Sequence, residues 1–399
     1  LLDCLPTSRL RLLLSASALA VACQAGAAPH APASDDQVLE RLPFRANDPV
    51  AREMSALRRA LQKDPQNLDV AVKLARRYYE LVGEEGDPRY LGYAEAALRP
   101  WWSLEQPPTS VQVLRASLKQ FRHDFDGAVD DLNKVLEREP DNSAARALRA
   151  IIHIVQARYA AGRVDCTALR KSGDPLIGQA CEAMVDGLTG RAAPAYQSLL
   201  AAYREASGKE DSQRMWVLIR LGELAWRQGD LATAETHFKE AVGLGISDTF
   251  LLAAYADLLI EQKRYNDVLA LLKDKSRSDV LLLRIVLAEH ALKLPAARQR
   301  EAELAARYAA AQMRGDTVHQ QEESRFALQV NNDVKSALAL AAENWKVQRE
   351  PRDAQVFLEA AVAANDAATA APVLAWLQES HIEDKTLIGL GRKLKGERP

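Results

Sequence analysis

The densest set of potentially reactive side chains in this sequence is Asp124, Asp126, Asp130 and Asp131, beside His123. Crowded carboxylates can ligate a cation, and Asp124-Phe125-Asp126-Gly127 has the opening of a calcium loop. The rest of that loop is missing, including the glutamate at its twelfth position. At the start of a helix the same aspartates would cap free N–H groups and suit the positive end of the helix dipole, and that is the reading adopted. The seven histidines stand at 30, 123, 153, 237, 290, 319 and 381, with no H-E-x-x-H or other metal spacing. The sequence contains no G-x-S-x-G, no G-x-x-x-x-G-K phosphate loop and no G-x-G-x-x-G after a strand. A catalytic site needs convergent polar groups with a defined task. The expectation is therefore a protein that is not an enzyme and carries no metal or cofactor.

The elements that would position any site are helical. Alanine is abundant, glycine amounts to 19 of 399 residues, and apolar residues recur at helical spacing from about Gln37 almost to the C-terminus. Charged residues make up 27%, which suits a globular chain, and the formal charge of −2 leaves no basic excess to neutralise phosphates. Nucleic acid is thus not expected as a partner.

The N-terminus reads as a signal peptide over residues 1–27. Arg9 and Arg11 supply the positive start, Leu12 to Val21 an apolar stretch too short to span a bilayer, and Ala25-Gly26-Ala27 a cleavage site. Lipoprotein processing at Cys23, after Ala20-Val21-Ala22, is the sharper alternative; a buried N-terminal helix is the plainer one. Residues 28–36 form a low-complexity linker. Residues 37–399 form the folded body.

Internal self-similarity organises that body. Shifting Leu114-Arg115-Ala116 by 34 residues gives Leu148-Arg149-Ala150, and the same shift turns Phe125 into Tyr159 and Asp131 into Asp165. Further on, Gly222 becomes Ala256, Leu231 becomes Tyr265 and Phe238 becomes Leu272. Residues 215–248 resemble a tetratricopeptide repeat (TPR), carried by Leu221-Gly222, Gly229, Leu231, Ala234, Phe238 and Ala241; Ile246 stands where that family usually has its closing proline. The resemblance implies an all-α solenoid. About nine TPR-like helix hairpins are expected, starting near 50, 109, 143, 175, 213, 249, 279, 318 and 353, with a polar capping helix over about 384–395. Small residues such as Gly222, Ala234 and Ala241 let paired helices approach, and Phe238 and Tyr265 fill the seam to the next pair. The polar stretch 207–211 reads either as a hinge or as a surface loop.

In this frame Cys166 falls on the second helix of one pair and Cys181 on the first helix of the next. An even pair in an exported chain suggests a disulfide, and two small buried apolar residues are the alternative. No C-x-x-C exists, so a redox-active pair is not expected.

The resemblance also implies a concave groove lined by the first helices. Its recurrent positions map onto Trp216, Ile219, Glu223, Trp226 and Arg227, then onto Phe250, Ala253, Asp257, Ile260 and Glu261. Aromatics flanked by charge suit a protein or peptide partner, and packing between neighbouring pairs is the bland alternative for both tryptophans. The equivalent Ser117, Gln120, Phe121, Ile151, Ile154 and Val155 are less charged, so there the chain itself can fill the groove. The Lys/Asn set by which some relatives clamp a C-terminal carboxylate is absent.

Gly86-Asp87-Pro88-Arg89-Tyr90-Leu91-Gly92-Tyr93 and Asn344-Trp345-Lys346-Val347-Gln348-Arg349-Glu350-Pro351 resemble stretches of exported proteobacterial TPR proteins, which implies envelope localisation and no activity. The expectation is a periplasmic scaffold that holds a protein partner in envelope assembly. One alternative is an envelope enzyme or glycan-binding protein using Tyr90, Tyr93, Trp101 and Trp102. Another is an outer-membrane lipoprotein with a lipid anchor at Cys23 and a structural role. Intact mass of the protein recovered from the bacterial envelope checks the export reading: a chain starting at or near Ala28 is expected. An acylated start at Cys23 selects the lipoprotein alternative, and an unprocessed cytoplasmic chain rejects export.

Overall fold

The computed structural model of the chain describes residue 34 and residues 48–397, apart from the side chain of Ser172. The signal peptide, Cys23 and all of the linker except Ser34 lie outside the described residues. The chain divides into two compact units, Leu1–Ser55 and Ala56–Pro399. Of the first, little beyond the opening turns of α1 (Pro49–Lys63) is described.

All 21 described elements are helices, and no strand occurs among the described residues. The first hairpin of the second unit joins α2 (Leu68–Glu85) to α3 (Arg89–Ala97). This corrects the expected first pair at about residue 50, because α2 packs on the helix after it. Gly86, left-handed at φ 66°, ends α2, and Asp87 caps the approach to α3 through the Arg89 N–H. The short α4 (Arg99–Trp102) follows.

From there consecutive helices pair in sequence, the first interval being 34 residues and the later ones departing from it. They are α5 (Thr109–Phe121) with α6 (Phe125–Arg138), α7 (Ser143–Val155) with α8 (Tyr159–Ser172), and α9 (Pro175–Gly187) with α10 (Ala192–Glu205). Next come α11 (Asp211–Arg227) with α12 (Leu231–Gly243), α13 (Thr249–Glu261) with α14 (Tyr265–Leu271), and α15 (Asp279–Ala291) with α16 (Ala297–Met313). The last are α17 (Gln320–Gln329) with α18 (Val334–Val347), and α19 (Pro351–Ala364) with α20 (Ala371–Ser380), followed by α21 (Lys385–Leu394). The fold is a TPR-like α-solenoid.

Local chemistry sets these boundaries. Asn142, Asp174, Asp230, Asp248, Ser278 and Asp384 each accept a backbone N–H from the first turn of the helix they precede. The turn within a pair repeats one geometry. A left-handed residue sits two positions past the first helix, and the next N–H bonds back five residues: Asp124 to Lys119, Arg158 to His153, Asp230 to Ala225, Arg264 to Leu259. Glycine fills the left-handed position at Gly229, and Gly190 does so in the α9–α10 turn; His123, Ala157, Lys263 and Lys293 fill it elsewhere. Close approach is enforced at Gly178, where a β-carbon would lie 2.3 Å from the Arg170 nitrogen, and at Gly222, where it would lie 2.6 Å from the Phe238 ring.

The polar stretch 207–211 links α10 to α11, yet one apolar cluster joins Leu176 and Leu199 before it to Val217, Leu221 and Leu224 after it. A second cluster closes the superhelix on itself. Ile154, Cys181, Met184 and Leu188 pack with Trp345, Phe357, Trp376 and Leu387, far away in sequence. Hydrogen bonds seal this seam: Trp376 Nε1 donates to the Tyr159 hydroxyl at 2.9 Å, the Arg349 N–H to the Val155 carbonyl at 2.8 Å, and the Ala192 N–H to Glu383 at 2.7 Å. At the other end the Ser247 hydroxyl donates to the Glu84 carbonyl at 3.1 Å. The first helices therefore do not line an open groove. The chain's own C-terminal repeats fill much of it, beginning at Ile151 and Ile154. The last helix, α21, is likewise more than a polar end cap, since Leu387 is buried in this cluster.

Cys166 on α8 and Cys181 on α9 form a disulfide within it, with α-carbons 5.2 Å apart. Digestion with trypsin without reductant is expected to release residues 164–170 still joined to residues 172–191. Because the bond spans 15 residues, reduction should cost roughly 3 kcal/mol in the chain-entropy model. Denaturant unfolding with and without reductant measures that difference.

Candidate functional site

One carboxylate gathers the inner ends of four repeats. Asp257, on α13, accepts Arg284 Nε at 3.1 Å and Arg284 Nη2 at 2.8 Å from α15, Arg325 Nη1 at 2.9 Å from α17, and Arg352 Nη1 from α19. Arg284 is fully buried and also faces Glu322 at 3.6 Å. Burial alone would raise the Asp257 carboxyl, but the three guanidiniums together hold it far below the usual carboxylate range. Arg352, on its side, is lowered by burial and by the neighbouring arginines.

Around this cluster the inner faces of the first helices leave a cavity of about 390 Å³. It lies near the low end of the roughly 300–1,000 Å³ usual for ligand pockets. Helix α13 gives its axis. Phe250 at one end is exposed, Ala253 and Asp257 in the middle are buried, and Glu261 at the other end is exposed. The lining thus runs along α13 between two exposed ends, or mouths, about 17 Å apart at 1.5 Å per helical residue.

Each mouth carries an aromatic side chain. At the first, the Arg220 guanidinium lies 5.0 Å from the centre of the Phe250 ring and 5.7 Å from that of Trp216. At the second, Trp226 Nε1 donates to Glu261 at 2.7 Å. Between them Glu223 pairs with Arg220 at 2.8 Å and approaches Arg227 at 3.7 Å. Facing these from α19, Glu350 and Asp353 form a capping box, and Asn344 Nδ2 donates to Asp353 at 2.9 Å. Burial, then the mutual charge of the acidic side chains around them, raises both carboxyls above their ordinary values. His123 also lines the channel, and burial lowers it to about 4, so it brings no positive charge at neutral pH.

The residues expected to meet a partner divide accordingly. Glu223, Trp226, Arg227, Phe250 and Glu261 line the channel. Trp216 is half-buried beneath Arg220, and Ile260 is half-buried against an apolar cluster. Ile219, 2% exposed, belongs to the core, and Asp257 is spent on its three arginines, so neither is displayed to a partner. Arg284, Glu322, Glu350, Arg352 and Asp384 also line it and were not singled out from the sequence. Their inward direction follows from closure of the superhelix; the local signals were the place of Arg284, Glu322 and Arg352 on first helices and of Glu350 and Asp384 at helix N-termini.

The aspartate cluster is structural. Asp124 caps α6 through the Gly127 N–H, Asp126 pairs with Arg158, and buried Asp131 accepts Arg115 Nε at 2.9 Å and pairs with Lys119. No group of three potential metal ligands occurs among the described residues. Near the first hairpin the rings of Tyr78, Tyr90 and Tyr93 lie 5.4–6.2 Å apart, but the nearby Asp87 and Glu95 are engaged by Arg89 and Arg122.

No family model matches the sequence, and no curated protein is similar to it. Among 42 solved chains that resemble the fold, a tetratricopeptide repeat protein from Parabacteroides merdae is 14% identical, covering 64% of this chain and 90% of that one, with a TM-score of 0.42. Human IFIT1, solved as a dimer with m7Gppp-AAAA, is 14% identical over 87% of each chain, with a TM-score of 0.40. The TPR domain of P58(IPK) is 16% identical, covering 80% of this chain and 94% of that one, with a TM-score of 0.22. These are likenesses of fold, and no ligand or activity follows from them.

The charge cluster makes a direct prediction. Asp257→Asn leaves three inward arginines without their shared anion and should cost about 3–5 kcal/mol at neutral pH. Because the folded-state pKa is depressed, the carboxylate's contribution is complete above its unfolded pKa and declines as pH falls. The gap between wild type and variant in denaturant unfolding should therefore narrow in acid.

Proposed function

We propose that the protein is an exported, non-catalytic TPR scaffold that receives an extended segment of a partner protein in its axial channel. The observation that carries this reading is the channel itself. Two mouths bear Phe250 and Trp226, and charged side chains from five first helices stand between them. A span of about 17 Å matches about five residues of extended chain at 3.3 Å each. Recognition would thus rest on a few residues of the partner, held by aromatic anchors in a desolvated setting.

Export is supported by the arginine-led apolar segment and its cleavage site, and more weakly by the Cys166–Cys181 disulfide, which suits an oxidising compartment. A role in envelope assembly agrees with both. The test is a Trp226→Ala variant. With a partner isolated from envelope extract, the loss should be about 2 kcal/mol or more if Trp226 is an anchor. The affinity should also fall with rising salt, since the channel is charged. Unchanged affinity in a folded variant removes the channel as the binding site.

A further inference from the structure

We infer that the mouth formed by Trp226, Glu261 and Asp384 is a subsite for a basic side chain of the bound segment, an ammonium or guanidinium. The inference rests on the channel reading and deepens it.

Charge pairing in the channel is uneven. Arg284 and Arg352 are drawn to Asp257, and Arg220 and Arg227 turn toward Glu223. Glu261, Glu350, Asp353 and Asp384 also line the channel, and none has a cation within ion-pair distance among the described residues. Helix capping accounts for part of this. Glu350 and Asp353 cap α19, and Asp384 accepts the Leu387 N–H at 3.0 Å. Capping does not account for Glu261. It stands at the C-terminal end of α13, where the helix dipole disfavours an anion. Its described partner is the Trp226 N–H, which fixes the carboxylate beside the indole.

Both acids line the same cavity. Partial burial of the Glu261 carboxyl raises it, the Trp226 N–H opposes this, and the charges of Asp384 and Glu359 raise it further. Glu359 is bonded to Gln329 and Gln355 and brings no positive charge. Burial likewise raises Asp384, and the opposing charge of Arg227, which also approaches Glu223, does not offset it. Lys385 turns aside onto the Gly229 backbone. An aromatic face with two under-compensated carboxylates at the edge of a desolvated channel suits a cation through both charge and the ring quadrupole.

The probes are the blocked pentapeptide Lys-Ala-Ala-Ala-Lys and its norleucine and glutamate counterparts, titrated calorimetrically against the full chain. Lysine at both ends places one at this mouth in either chain direction. The lysine peptide should bind about tenfold more tightly than the norleucine peptide, and the glutamate peptide weakest. Glu261→Gln and Asp384→Asn should each remove most of the lysine advantage, read as the ratio of lysine-peptide to norleucine-peptide affinity in the same variant; asparagine preserves the helix cap. Equal binding of lysine and norleucine peptides overturns the subsite and leaves the channel reading standing. So does a lysine preference that survives both variants. Absence of binding by all three peptides at millimolar concentration overturns the channel reading with it.

Discussion

Four helices from four successive repeats meet at one carboxylate. Asp257 holds Arg284, Arg325 and Arg352, which stand 27, 68 and 95 residues further along the chain. A buried anion with this many cations around it is costly to leave unsatisfied, and so is each arginine. The arrangement therefore fixes how far each first helix turns relative to the last. A superhelix held to that curvature brings its late repeats back onto its early ones. The apolar seam between Met184 and Trp376, and the Tyr159–Trp376 hydrogen bond, depend on that return.

Closure changes what the repeats can do. In an open solenoid the inner face is a broad groove. Here it narrows to a channel of about 390 Å³, whose walls come from helices distant in sequence. Apolar packing narrows the early part of the inner face, through Ile151 and Ile154, and Ile154 there meets the same cavity that the charged residues from Arg220 onward line. Pairing inside is uneven because the arginines are committed to Asp257 and Glu223. The excess of carboxylates, several with raised pKa values, is thus a consequence of the same network that closes the fold.

Much of the fold was legible because the TPR pattern is local. The 34-residue frame, the small residues at Gly222 and Ala234 and the caps at Asp230 and Asp248 all act within one or two hairpins. Hairpin starts from 109 onward fell within a few residues of expectation. The first hairpin did not, since residues 50–63 carry a helical pattern like that of the hairpins, and only the structure pairs α2 with the helix after it. The left-handed turns at His123, Ala157, Lys263 and Lys293 were hidden for a related reason: without glycine, the turn is imposed by the packed helices on either side.

The sequence by itself determined the helices, their pairing from residue 109 onward and the nearness of Cys166 to Cys181, because each follows from periodicity and neighbouring contacts. It also placed Trp226, Phe250 and Glu261 on first helices. Only the tertiary structure decided which of those positions face a space and which are spent on the chain itself. Asp257 and Glu261 sit one turn apart on the same helix face, yet one is locked among arginines and the other stands at a mouth. The difference comes from repeats up to 95 residues away. Superhelical curvature accumulates over many small rotations, and no single repeat encodes where the sum will bring the chain back to itself.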